Sequence, residues 1–79
     1  MMNEKQIEML IKQLRQQLKS KHKTKTDDEI DKMILDMFFG AFIDDKISRE
    51  DLCALTIALG YEPREDILDE IEKEKGGKH

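Results

Sequence analysis

Apolar residues recur at spacings of three and four along this chain, and no run of them alternates as a half-buried strand would. Ile7, Ile11, Leu14 and Leu18 form one stripe, with Leu10 beside it. Ile30, Met33, Ile34, Met37, Phe38 and Ala41 form a second. Leu52, Leu55 and Leu59 form a third, with Ala54, Ile57 and Ala58 alongside, and Ile67, Leu68 and Ile71 form a fourth. A period near 3.6 that places one apolar face on each segment is the pattern of amphipathic helices. Gln6, Gln13, Gln16 and Gln17 add helix-favouring residues to the other faces of the first segment.

The stripes are separated by helix punctuation. Thr26-Asp27-Asp28-Glu29 matches a capping box, and its acidic residues suit a positive helix end. Ser48 precedes Arg49-Glu50-Asp51 as a second cap, with Ile47 and Leu52 at the two positions of a hydrophobic staple. Gly60 follows Leu59 where a left-handed residue ends a helix, and Tyr61 is placed to fold back on that end. Pro63 suits the first turn of the next helix. The prediction is an all-α chain, a small bundle of about four helices at 3–19, 27–41, 49–59 and 63–74. Ser20 to Lys25 holds no apolar residue. It divides the chain into an amphipathic arm (1–19), a basic linker (20–25), a helical body (26–74) and a flexible tail (75–79).

Size and chemistry narrow the function. Seventy-nine residues make one small domain, whose single core yields only a few kcal/mol of net stability. Cys53 is the lone cysteine, which excludes an internal disulfide and a Cys-based metal site and fits a reducing compartment. The start of the chain carries no apolar leader, and the run from Met37 to Ile43 is far shorter than the ~20 residues of a membrane span. The expected location is cytoplasmic. His22 has no helical His partner, Ser48 is engaged as a cap, and Cys53 lies in an apolar context that raises a thiol pKa. No catalytic residue, metal or cofactor is expected, and the chain reads as non-enzymatic.

Charge is unevenly placed. Residues 1–25 carry a net +5 and residues 26–79 a net −9, which together give the overall −4. The basic stretch Lys12, Arg15, Lys19, Lys21, Lys23 and Lys25 lacks interleaved aromatics, so nucleic-acid binding through the arm stands only as an alternative. The arm can instead dock on the acidic body, within one molecule or across a dimer. The candidate acidic surface is Asp27, Asp28, Asp31, Asp66, Asp69 and Glu70, suited to a partner with a basic face. The phenylalanines are clustered at 38, 39 and 42. Neighbouring helical residues point about 100° apart, so Phe38 and Phe39 cannot both face the core centre. Ile7, Ile11, Leu14, Leu18, Phe39 and Phe42 are therefore the candidate partner-binding residues, and a second copy of the chain is one candidate partner.

Ile47 to Leu52, followed by Leu55, Leu59-Gly60, Pro63, Ile67-Leu68 and Ile71, resembles the exit half of an EF-hand. The departure lies at the metal. With Asp51 at the last ligand position and Ile47 at the central hydrophobic one, Gly40 and Phe42 occupy the first and third ligand positions. Asp45 stands at the usual central glycine, and Asp44 and Asp51 alone match, too few for a calcium cage. The resemblance implies a calcium-independent adaptor, while the same residues also describe any well-terminated helix. In style the chain resembles small accessory proteins of phages and mobile elements, which implies a regulator or inhibitor of a host protein. The leading expectation is a protein–protein interaction module.

Overall fold

The structure, a computed structural model, describes residues 2–76 and is all-α. Its helices are α1 (Glu4–Lys21), α2 (Asp27–Ile43), α3 (Arg49–Ala58) and α4 (Glu65–Gly76). Each start has a local cause. Thr26 Oγ1 accepts from the Glu29 backbone N–H at 3.2 Å while the Glu29 carboxylate accepts from the Thr26 N–H at 3.2 Å. Ser48 Oγ accepts from the Asp51 N–H at 3.1 Å. Asn3 and Gln6 form a further reciprocal box at the head of α1, with bonds of 2.9 and 3.0 Å. The boundary expected at residue 3 therefore places a cap inside the helix, and α1 also runs two residues past 19.

The end of α3 is a complete Schellman motif: the Tyr61 N–H bonds Thr56 O at 3.1 Å and the Gly60 N–H bonds Ile57 O at 2.9 Å. Gly60 has φ +93°, where a side chain would be strained. Pro63 lies ahead of α4 rather than in its first turn. The Ile67 and Leu68 N–H groups both close on Arg64 O at 3.1 Å, so the helix begins after Arg64. Of the tail expected at 75–79, Lys75 and Gly76 belong to α4, and residues 77–79 lie outside the described residues.

Helices α1, α2 and α3 pack against one another in all three pairs. Their shared core holds Ile7 and Ile11 from α1, Ile30, Ile34, Phe38 and Phe42 from α2, Leu52 and Leu55 from α3, then Leu59 and, from α4, Leu68. The arm thus packs in one core with α2 and α3 rather than as a unit apart from the body. The polarity of residues 20–25 shows only that the turn is solvated; it does not decide whether the preceding stripe packs. The expected burial of Met37 is corrected. The α2 core line advances in steps of four (30, 34, 38, 42), drifting about 40° each time, which leaves Met37 half exposed beside it.

Helix α4 closes one end of this unit. Arg49 at the start of α3 reaches Asp69 at 2.6 Å, Glu72 at 3.5 Å and Glu65 at 3.7 Å. Lys75 Nζ donates to Phe42 O at 2.8 Å and to Asp45 at 2.6 Å, and sits 4.9 Å from the Phe42 ring centre.

Candidate interaction surface

The core uses much of the surface expected for a partner. Ile7, Ile11 and Phe42 are buried, and Leu14, Leu18 and Phe39 are half-buried against the core. Ile7, Ile11 and Phe42 therefore serve mainly this chain's own packing, and Leu14 and Leu18 keep only partial faces. Phe39 keeps only a partial face.

An open groove runs instead between α1 and α3, formed by two adjoining depressions of about 340 and 370 Å³. Ile7, Ile11, Ala54 and Ala58 line it, with Ile57 on the α3 side. Helix geometry explains its shape. Leu52, Leu55 and Leu59 take the core side of α3, which turns the second apolar set, Ala54, Ile57 and Ala58, toward α1 and solvent. Two alanines keep the floor low. Ile57 is a large β-branched side chain left 62% exposed by the described residues. The α1 edge of the groove reads Glu4, Glu8, Lys12, Arg15, Lys19. It is acidic at one end and basic at the other.

A further depression lies on α4, where Ile67 and Ile71 are flanked by Asp66, Glu70 and Glu74. Its charge is less available than the sequence suggests. Of the six expected acidic-surface residues, Asp27 pairs with Lys19 at 2.6 Å, Asp28 with Lys32 at 3.3 Å, Asp66 with Arg64 at 3.1 Å and Asp69 with Arg49 at 2.6 Å. Asp31 holds Arg15 through two bonds of 2.8 and 2.9 Å. Glu70 alone of the six makes no ion pair among the described residues. The Lys19 ammonium holds the Asp27 carboxyl below the usual carboxylate range, and the Tyr61 hydroxyl, donating at 3.1 Å, does so for Asp28 ahead of Lys32.

The basic stretch is likewise partly engaged. Arg15 and Lys19 bind α2 carboxylates, and Lys25 lies 3.9 Å from Glu29. At the EF-hand-like junction α2 continues through Ile43, so the first ligand positions are helical. Asp45 turns the chain with φ +61° and is tied to Lys75, while Asp51 accepts from the Met2 N–H at 3.1 Å. Among the described residues no group of three His, Cys, Asp or Glu side chains is placed to hold a metal ion. Burial pushes the half-buried Cys53 thiol up, with Glu65 and Glu50 adding to it.

The sequence reading did not single out Ala54, Ile57 and Ala58 as a site, nor Glu4 and Glu8. A signal was present, since α3 carries more apolar residues than one stripe needs. Comparison of the chain with protein-family models, curated proteins and solved structures returned no match. No helix among the described residues is long and apolar enough to cross a membrane.

Proposed function

We propose that this chain is a non-enzymatic helical interaction module that binds protein through the α1–α3 groove. The observation that carries this reading is Ile57, 62% exposed above an alanine floor. Large apolar side chains beside an open groove are typical of binding surfaces, and desolvating such an anchor dominates interface energy. A module of this kind regulates or inhibits by covering a surface of its partner, which needs no reactive group.

The test is capture of the tagged chain after mild crosslinking in the cells that encode it. Adducts are expected with the wild type and with Met9→Asp. Met9 is as exposed as Ile57 but lies on the side of α1 turned away from Ile7 and Ile11. Adducts are expected to disappear with Ile57→Asp. Capture that is indifferent to Ile57→Asp contradicts the reading.

A further inference from the structure

We infer that the groove binds a second copy of this chain, in an antiparallel two-fold pairing of α1 with α1; this rests on the groove being the binding surface. The order of charge along its edge selects this pairing. Glu4 and Glu8 lie toward the start of α1, and Lys12 and Lys19 follow them toward its end, all on the flank that borders the groove. A two-fold axis near Ile11, perpendicular to α1, lays Glu4 toward the second copy's Lys19 and Glu8 toward its Lys12. Every acid then meets a base twice over, as a self-complementary isologous contact requires. A parallel pairing sets like on like.

Three of these four charges have no competing ion pair among the described residues. Glu4, Glu8 and Lys12 have no ion-pair partner among the described residues, whereas Arg15, in the middle of the row, is held by Asp31. Lys19 contacts Asp27, but that carboxylate is 81% exposed, and exposed pairs hold their geometry weakly. Ala54 and Ala58 allow close approach, and Ile57 contributes the apolar contact from each copy. Antiparallel alignment also opposes the two helix dipoles favourably.

Sedimentation equilibrium of the full chain from about 1 to about 500 µM reads the outcome. The wild type is expected to form a dimer whose dissociation constant rises at least about tenfold from low to physiological salt. The double variant Glu4→Lys, Glu8→Lys and the double variant Lys12→Glu, Lys19→Glu are each expected to be monomeric. Their equimolar mixture is expected to form a heterodimer, because both sets of opposed charges are restored. Circular dichroism checks that each variant is folded. The single variants Glu8→Lys and Lys12→Glu repeat the test should a double variant lose helix. A wild type monomeric over the whole range, or reversed variants that dimerise as the wild type does, overturns the inference. Adducts to a different protein that still depend on Ile57 would then leave the groove reading standing, whereas loss of both removes both.

Discussion

Single residues separate the parts of this chain that hold it together from the part proposed to bind. Ile34 is fully buried at the centre of α2, and trimming one methyl there (Ile34→Val) is expected to cost about 1 kcal/mol in urea denaturation. Gly60→Ala is expected to cost about 1–2 kcal/mol for a different reason. The added Cβ meets no atom within 4 Å, so the penalty is wholly that of a side chain at φ +93°. Ile57→Asp removes no core contact and is expected to leave stability within about 0.5 kcal/mol of the wild type. If it unfolds the chain, Ile57 is structural after all. The sequence showed which residues repeat on a face, and Ile30, Ile34, Leu52 and Leu55 are buried as their stripes require. It did not show Ile57 as a site, because the exposure of one apolar residue depends on where the neighbouring helix lies.

At the scale of elements, helix ends were the most legible feature, since caps depend on side chains three residues away. The Thr26 and Ser48 caps and the Gly60 terminus all form where the local sequence places them. The Asn3–Gln6 box is equally local, and it sets the start of α1 at Glu4, one residue past the expected boundary. The links between elements were not legible. Lys75 reaches thirty-three residues back to cap Phe42 O at the negative end of α2, and no spacing rule predicts such a partner. Lys75→Met is expected to lower stability by about 1–2 kcal/mol, through the lost charged hydrogen bond and ring contact.

The start of α2 carries most of the acid sensitivity, with Asp66, lowered by Arg64, adding to it at the head of α4. Asp27, Asp28 and Glu29 are all held below the ordinary carboxylate range, by Lys19, by Tyr61 and by Thr26 respectively as the first causes. A carboxylate depressed in the folded state stabilises above its unfolded pKa, and that contribution is lost as pH falls through the depressed value. The thermal midpoint is therefore expected to fall as pH is lowered below about 4. It should fall less steeply in Asp27→Asn. Tyr61 acts at the other limb: burial and then Asp28 hold its hydroxyl above the ordinary phenol range. Its contribution is present at lower pH and is lost as pH rises through that value.

For the whole molecule, the contrast between a +5 head and a −9 remainder changes meaning once the helices are placed. Arg15 and Lys19 lie against Asp31 and Asp27, so part of the asymmetry is spent joining α1 to α2. What remains on the outer flank of α1 is an acid-to-base sequence beside an uncovered isoleucine. Charge counted along a chain cannot show this, because it depends on which carboxylates a second helix brings near. Proposed binding runs through the α1–α3 groove rather than the α4 face. It is tested most directly by placing a photo-crosslinking residue singly at Ile57, Met9 and Ile67 in the full chain, in the cells that encode it. Adducts are expected from position 57 and none from 9 or 67; adducts from 67 with none from 57 rule out binding through the groove.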